Sequence, residues 1–278
     1  IMDEISVLII GKPNVGKSTL FNNLSEDNIS IVDDTPGTTV LPHCSKIKFK
    51  DIVINLVDVG GLKKKSKSHD KKQKLITKET LKSLKHSDIV LFLTEANSEF
   101  TKNDKQIFRL VLNKLKDFII VVNKIDLIEK SKVSKVKRYF SYFFENTFSD
   151  ILIKPLFFSA KENKEKDFFF KKIYNLNETK KNIIKNKELN SFINNIKSFN
   201  IPAQKGQFRP TIKFIKHVNT KPQIFKIFGN RLQKLNSDYK KYMLKQIINK
   251  FELYNQVVII KYISNKNPFS RSNVAKKR

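Results

Sequence analysis

Residues 5–18 read ISVLIIGKPNVGKS, an apolar run that leads into a turn with two glycines. The apolar run Ile5–Ile10 has the character of a buried strand, and TLFNNL (19–24) has that of a helix. Between them, GKPNVGKS (11–18) satisfies G-x-x-x-x-G-K-[ST] in the strand–turn–helix context that this pattern requires. A chance glycine-rich turn is the alternative, and the flanking elements disfavour it. The stretch therefore predicts a phosphate-binding loop (P-loop).

The residues of this turn suit the phosphates of a nucleotide in different ways. Glycines let backbone N–H groups turn inward around the phosphates, and the helix that follows adds the positive end of its dipole. Lys17 can reach the β- and γ-phosphates, and the hydroxyl of Ser18 can bind Mg²⁺. The predicted nucleotide-binding residues of the turn are Gly11, Asn14, Val15, Gly16, Lys17, Ser18 and Thr19.

Apolar strands and amphipathic helices alternate beyond the turn. The predicted strands are two within 46–57, joined by a tight turn at Lys50 and Asp51, and then 88–94, 118–123 and 155–160. The predicted helices are 75–87, 103–116 and 131–148. This alternation is typical of an α/β domain with a mainly parallel sheet and helices on both faces.

The motif Asn123-Lys124-Ile125-Asp126 ends one of these strands and indicates which base is bound. A carboxylate at Asp126 can accept the N1–H and N2–H₂ groups of guanine, a donor pair that adenine does not offer, and the stem of Lys124 can lie over the base. On its own this motif is a common surface turn. Its position after a P-loop, with Ser159, Ala160 and Lys161 closing the last strand, predicts a guanine-nucleotide site.

The sequence DVGGL (58–62) lies between the P-loop and this motif. Asp58 ends a strand and can hold Mg²⁺ through water, while the N–H of Gly61 can face the γ-phosphate, where a side chain would block the approach. Many GTPases have a glutamine at the next position to orient the attacking water. Here the residue is Leu62, which cannot hydrogen-bond. Either another group supplies the catalysis that a glutamine provides elsewhere, or the protein does not catalyse hydrolysis.

Charge separates the second part of the chain from the first. Residues 1–178 hold 32 basic and 23 acidic residues, whereas residues 179–278 hold 23 basic and 3 acidic ones. Biased composition would not produce this asymmetry, so the second part is expected to bind a polyanion. Its pattern of helix (187–199), strands (211–218 and 222–229), helix (236–251) and strand (256–263) predicts a small α+β domain.

The predicted organisation is therefore a nucleotide-binding domain (1–178), a polyanion-binding domain (179–263) and a basic tail (264–278). A single cysteine excludes a disulfide framework, which favours a reducing compartment. No apolar run reaches the roughly 18 residues of a membrane span, and we expect no leader segment, since a strand begins almost at once. We expect a monomer that does not bind DNA.

The motifs resemble those of one family, the Der (EngA) GTPases of large-ribosomal-subunit assembly in bacteria. The quoted matches are GKPNVGKSTLFNNL (11–24), DDTPGTT (33–39), GGLKKKSK (60–67), GNRLQKLNSDYKKYM (229–243) and NPFSRSN (267–273). The resemblance covers the second GTP-binding domain of that family and its KH-like domain. It implies GTP hydrolysis with Mg²⁺, binding to rRNA of the large subunit, and a place in the bacterial cytoplasm, or in an organelle stroma or matrix if the gene is nuclear.

The resemblance also implies roles for two residues in catalysis. Thr39 would bind Mg²⁺ beside Ser18 and Asp58, and Asn14 would hold K⁺ against the phosphates. That cation would supply the charge that an arginine finger supplies elsewhere, and so replace what Leu62 cannot do. The residues expected to act in catalysis are Lys17, Asn14, Thr39 and Gly61.

The chain departs from the family in several places, and these departures leave alternatives open. It has one GTP-binding domain where the family has two, DVGG (58–61) in place of DTAG, and Val40-Leu41 in place of Arg-Asp. The loop 161–167 lacks glycines. A GTP-binding rRNA scaffold with little hydrolysis is therefore one alternative. A second is a small-subunit factor like Era, although the only glycines in 179–278 are Gly206 and Gly229, which excludes the GxxG loop of such a KH domain.

Overall fold

The structure is a computed structural model that describes residues 2–25, 43–59, 78–162, 166–181, 183–199 and 209–264. The chain divides into two compact units. The first comprises residues 1–179 together with 251–257, and the second comprises residues 180–250 together with 258–278. Within the described ranges, no helix has both the length and the apolar character needed to cross a membrane.

A six-stranded sheet forms the centre of the first unit. Its strands are β1 (Asp3–Gly11), β2 (His43–Phe49), β3 (Ile52–Asp58), β4 (Ile89–Glu95), β5 (Asp117–Asn123) and β6 (Leu156–Phe157). The spatial order is β2-β3-β1-β4-β5-β6, and only the edge pair of β2 and β3 is antiparallel. Strands β4 and β5 are buried along nearly their whole length, and β1 is apolar and buried from Val7 to Ile10, as strands covered on both faces must be. The predicted mainly parallel sheet is confirmed.

Among its described residues this unit has five α-helices: α1 (Lys17–Ser25), α2 (Lys78–His86), α3 (Lys102–Asn113), α4 (Val133–Thr147) and α5 (Lys166–Glu178). They form two apolar clusters with alternate residues of the strands. Val7 and Ile9 pack with α1 and α5, whereas Leu8 and Ile10 pack with α2, α3 and α4. Because neighbouring residues of a strand point to opposite faces, helices cover the sheet on both sides, as predicted.

Two details of this unit differ from the sequence prediction. Helix α5 was not predicted, although Phe169, Phe170, Ile173 and Leu176 are buried at the spacing of one helical face. The strand expected at 155–160 pairs only through Leu156–Phe157. Beyond it the chain leaves the ladder, since the carbonyl of Phe158 accepts a hydrogen bond from the N–H of Ile125 at 3.2 Å instead of continuing the strand pairing.

In the part that the structure describes, the second unit is a three-stranded sheet with two α-helices. Its strands are β7 (Thr211–Thr220), β8 (Gln223–Asn230) and β9 (Val258–Ser264), and its helices are α6 (Asn186–Phe199) and α7 (Ser237–Phe251). Strand β8 lies in the centre, antiparallel to β7 and parallel to β9. One face of the sheet buries Ile215, Phe225 and Ile227, and the helices bury their own apolar residues, so the core lies between the helices and that face. The predicted α+β unit is confirmed.

Candidate nucleotide-binding site

The turn between β1 and α1 requires glycine at two positions. A Cβ atom on Gly11 would lie 2.4 Å from the carbonyl oxygen of Leu93, and one on Gly16 would lie 2.4 Å from Nδ2 of Asn123. Gly16 also has a φ of +96°, which is unfavourable for residues with a side chain. The turn therefore fits closely against the carboxyl ends of β4 and β5, and its own backbone lines the space that a phosphate would enter.

Lys17 lies against the backbone of this turn. Its Nζ donates to the carbonyl oxygens of Gly11 at 3.0 Å and of Lys12 at 2.5 Å. The ammonium group is thus held at the mouth of the loop, where the terminal phosphates of a nucleotide would lie.

Ser18 and Asp58 bring two oxygen ligands together beside the loop. The hydroxyl of Ser18 donates to Oδ2 of Asp58 at 3.2 Å, and Asp58 is buried. The buried carboxylate of Asp58 therefore fixes the direction of the Ser18 hydroxyl. Together the two groups offer Mg²⁺ one direct oxygen ligand and one acceptor for a water molecule that the ion holds. In the described parts of the chain, no group of three or more histidine, cysteine, aspartate and glutamate side chains forms another metal site.

Asn123 connects three of the predicted motifs. Its Nδ2 donates to the carbonyl oxygen of Val15 at 2.8 Å, and its Oδ1 accepts from the N–H of Ala160 at 2.9 Å. The side chain is buried, so both halves of its amide are used inside the protein. Asn123 therefore positions the P-loop and the 159–161 turn. Contacts with a base would then come from the residues that follow Asn123 in the motif.

Lys124 and Asp126 are the residues of the 123–126 motif that can face a base. Lys124 adopts a left-handed backbone conformation, with φ of 62°, and its Nζ donates to the carbonyl oxygen of Asn14 at 2.8 Å. It also forms an ion pair with Glu95. Asp126 lies in a short 3₁₀ turn (Ile125–Leu127) with its side chain exposed. A carboxylate in this position can accept hydrogen bonds from an incoming base.

The turn at 159–161 closes the site on the other side of Asn123. The hydroxyl of Ser159 is buried and has no hydrogen-bond partner among the residues that the structure describes, whereas Lys161 is exposed. Asn23 of α1 donates to the carbonyl oxygen of Ala160. The predicted residues from the P-loop, the 123–126 motif and this turn are thus brought together at the carboxyl edge of the sheet, as the rule for ligand sites in open α/β sheets requires.

Three residues that hold the site together were missed in the sequence analysis: Asn23, Glu95 and Asp104. Asp104 is fully buried, and its Oδ2 lies 2.6 Å from Nζ of Lys12 in the P-loop. The same carboxylate accepts from the N–H and the hydroxyl of Thr101 in a capping box at the start of α3. The T-x-x-D pattern could have located that helix start, but nothing in it indicates the contact with Lys12.

Comparisons with known proteins fit this geometry. A family model described as "50S ribosome-binding GTPase" matches residues 6–124. A second, described as "KH-domain-like of EngA bacterial GTPase enzymes, C-terminal", matches residues 184–262. The chain belongs to the Der (EngA) family of GTPases. Two relatives show the level of sequence identity. GTPase Der of Rickettsia prowazekii is 30% identical over 275 residues, and GTPase Der of Rickettsia typhi is 29% identical over 273 residues; each alignment covers 96% of this chain.

The chain spans 60% of the length of these Der proteins. Among solved structures, Era in complex with MgGDPNP and nucleotides 1506–1542 of 16S ribosomal RNA is 19% identical and has a TM-score of 0.48, with 95% of each chain covered. A likeness at this level does not separate the two families. The family model for the EngA C-terminal domain does favour Der.

The basic tail beyond residue 264 lies outside the described residues, and so do several residues that the sequence singled out. They are Thr39, Gly61, Leu62 and the lysines at 63, 64, 65 and 67. Asn14 is described: it has a φ of 68° and an exposed side chain, and its carbonyl accepts the bond from Lys124. The left-handed conformation is one that asparagine tolerates better than most residues with a side chain.

Proposed function

We propose that the first unit binds GTP with Mg²⁺ and hydrolyses it to GDP and phosphate. The observation that carries this proposal is the position of Asn123, whose one amide holds both the P-loop and the 159–161 turn and leaves the exposed Asp126 to the base. In this proposal the phosphates contact Gly11, Val15, Gly16, Lys17 and Thr19, and the base contacts Lys124, Asp126 and the turn Ser159, Ala160 and Lys161.

Mg²⁺ would be held by Ser18 directly and by Asp58 through water, with Thr39 joining when GTP is bound. The hydrogen bond of 3.2 Å from the Ser18 hydroxyl to Asp58 supports this assignment, because it places both oxygens beside the same space. Gly61 would donate its N–H to the γ-phosphate. The ion would supply positive charge to the phosphates, and Ser18, Asp58 and Thr39 would fix its position.

Base selectivity offers the first test. Substituting Asp126→Asn replaces a carboxylate that accepts two N–H bonds by an amide that can accept one and donate one. The variant is expected to lose at least tenfold in affinity for GTP and to gain affinity for XTP, whose base carries a carbonyl in place of the amino group. Wild-type protein should prefer GTP over ATP by at least 100-fold. Equal affinity of the wild type for GTP and ATP would contradict the proposal.

The proposed mechanism of hydrolysis uses K⁺ at Asn14, because Leu62 cannot orient water. The exposed side chain of Asn14 at the edge of the P-loop supports this role. Steady-state GTP hydrolysis should be several times faster in KCl than in NaCl at equal ionic strength, and Asn14→Ala should abolish the difference. GTP binding without turnover in either salt would favour the alternative of a scaffold.

We further propose that the second domain (179–263) and the basic tail (264–278) bind rRNA of the large ribosomal subunit. The protein would act in ribosome assembly as a monomer. The excess of 23 basic over 3 acidic residues in 179–278 supports a polyanionic partner. The family description "50S ribosome-binding GTPase" supports the large subunit. Binding to the small subunit, as for an Era-like factor, remains the alternative that co-sedimentation tests.

A further inference from the structure

Strand pairing in the second unit places three lysines in one row across its sheet. Lys216 of β7 pairs with Lys226 of β8, and Lys226 pairs with Lys261 of β9. Residues that pair directly across strands lie on the same face, so the row runs from one edge of the sheet to the other. Neighbouring strands are about 4.8 Å apart, and the row is therefore roughly 10 Å long.

This row lies on the face that the described helices α6 and α7 do not cover. Along β8 burial alternates strictly: Phe225 and Ile227 are buried on the helix side, whereas Ile224, Lys226 and Phe228 are not. Lys216 and Lys261 are exposed. We call this face, formed by residues 214, 216, 219, 224, 226, 228, 259, 261 and 263, the open face.

Apolar and aromatic side chains flank the lysines on the open face. Phe214 pairs with Phe228, their rings are stacked with centroids 4.6 Å apart, and Ile263 continues that row on β9. Phe214 is 38% exposed, which is unusual for a phenylalanine in a sheet. The ammonium of Lys216 lies 6.0 Å from the centre of the same ring. A ring with a free face beside a cation is the combination that stacks on a base and neutralises its phosphate.

The lysine charges of the open face do not stabilise the fold. Like charges directly opposite each other across strands are destabilising, and here two such pairs follow one another. None of the nine residues of the face is acidic, and no described carboxylate pairs with the three lysines. Of the three acidic residues in 179–278, Glu188 lies on α6, Asp238 on α7 and Glu252 beyond α7. A polyanion would relieve this repulsion.

We propose that the open face is a binding surface for single-stranded RNA, with Lys216, Lys226 and Lys261 on the phosphates and Phe214 stacked on a base. The inference rests on the proposed binding of rRNA and names the surface that performs it. Single-stranded RNA fits better than a duplex, because unstacked bases are free to lie on an aromatic ring whereas paired bases are not. It fits better than an acidic protein, because the phenylalanine pair offers a stacking platform.

A groove on the helix side of the same unit is the competing surface. It has a volume of about 490 Å³ and is lined by Lys185, Lys250 and residues of α6, among them Lys187 and the buried Phe192. It carries three lysines, as the open face does, but also Glu188. The two surfaces therefore offer variants that remove the same charge from opposite sides of one unit.

The test uses the full chain and two triple variants. One changes Lys216, Lys226 and Lys261 to Gln, and the other changes Lys185, Lys187 and Lys250 to Gln. Binding to a 12-residue uridine oligonucleotide is measured over a series of KCl concentrations. The open-face variant is expected to bind roughly tenfold more weakly and to lower the slope of log affinity against log salt by about 2, since three single-strand phosphate contacts are lost. The groove variant should stay within threefold of the wild type.

Single variants separate stacking from charge. Phe214→Ala should weaken binding by roughly fivefold or more with an unchanged salt slope, and Phe214→Tyr should restore it. The open-face triple variant should bind GTP normally and unfold at the same or higher urea concentration, because the repulsion has been removed. Loss of affinity in the groove variant with none in the open-face variant would overturn the inference. So would equal binding of the wild type to polyglutamate, or tighter binding to a 12-base-pair RNA duplex.

Sedimentation with purified large subunits distinguishes the two proposals. If the wild type and the open-face variant sediment equally well, the ribosomal function stands and the assignment of the open face is wrong. If the wild type binds the oligonucleotide through the open face but no ribosomal subunit, the RNA surface stands and the ribosomal partner is wrong.

Discussion

The two units carry their positive charge in different ways. In the nucleotide site, each lysine of the loop region is held by specific protein partners: Lys12 by the buried Asp104, Lys17 by two carbonyls and Lys124 by Glu95 and a carbonyl. On the open face of the second unit, Lys216, Lys226 and Lys261 face one another without a described carboxylate. In the nucleotide site, protein partners hold the lysines in position before a ligand binds. On the open face, the three lysines repel one another.

The difference reflects the ligands that the two regions are proposed to bind. A nucleotide has one shape, so its site gains from fixed donors that need no reorganisation on binding. A single RNA strand has many conformations and a regular negative charge, so its surface gains from flexible cations and from rings that accept any base. Single substitutions are therefore expected to have large, local effects in the first unit and small, additive ones in the second.

The largest effect is expected at Lys17. Lys17→Ala removes charge-assisted contacts with the terminal phosphates, so GTP affinity should fall by about 100-fold or more, while affinity for the uridine oligonucleotide should not change. Isothermal titration with GTP and with the oligonucleotide measures both. Lys187→Ala, on the exposed side of α6, is the matched control and should leave GTP affinity unaltered. Unchanged GTP affinity in Lys17→Ala would contradict the placement of the phosphates.

The next effect concerns Asn123. Asn123→Ala leaves the carbonyl of Val15 and the N–H of Ala160 without their partners, and it should lower the free energy of unfolding of the first unit by about 2–4 kcal/mol. Urea unfolding in the absence of nucleotide measures this. Asn146→Ala removes one exposed bond to a carbonyl of its own helix and should cost less than about 1 kcal/mol. Equal losses in the two variants would mean that Asn123 does not join the motifs.

A smaller effect should distinguish two ion pairs of the same unit. Asp104→Asn weakens the buried contact with Lys12 and the cap of α3, and it should cost about 1–3 kcal/mol in the free energy of unfolding. Glu129→Gln removes a pair whose two side chains are both more than 60% exposed, and it should cost less than about 0.5 kcal/mol. The same urea titrations compare them. A cost for Glu129→Gln as large as that for Asp104→Asn would show that burial is not what gives the P-loop pair its strength.

The smallest effect is a pH dependence in the second unit. His217 is buried, stacks on Phe225, and accepts a hydrogen bond from the N–H of Ile184 through Nδ1 at 3.1 Å. Burial lowers the pKa of His217 below its usual 6.5. The unfolded chain therefore takes up a proton before the folded one does, and stability that is fully present above about pH 6.5 is lost as the pH falls below that value.

Amide hydrogen exchange of β7 and β8 at pH 7.0 and 5.5, corrected for intrinsic rates, measures this loss. His217→Asn keeps an acceptor near Nδ1 but does not titrate in this range, so its protection should change less between the two pH values. An equal loss of protection in both proteins would assign the pH dependence to another group.

How much the sequence predicts depends on whether a feature is local. The P-loop, the 123–126 motif and the strands at β1, β4 and β5 were predictable, because a glycine spacing or an apolar run specifies each within a few residues. The partnership of Lys12 with Asp104 was not, since 92 positions separate them and either residue alone fits a solvated surface. Helix α5 was missed because a run of three phenylalanines has no clear period until Ile173 and Leu176 are included.

The open face shows the same limit in another form. The lysines at 216, 226 and 261 are ordinary members of a basic sequence, and only the register of β7, β8 and β9 aligns them. The charge asymmetry between the two parts of the chain predicted a polyanion. Which side of the unit would meet it required the pairing of the strands.

Whether the protein is a GTP-dependent factor of the large subunit is decided by co-sedimentation of the full chain with separated ribosomal subunits, in the presence of a non-hydrolysable GTP analogue or of GDP. We expect the protein to sediment with the large subunit when the analogue is present and much less with GDP, and not to sediment with the small subunit. Binding to the small subunit alone, or equal binding to the large subunit with either nucleotide, would contradict this expectation.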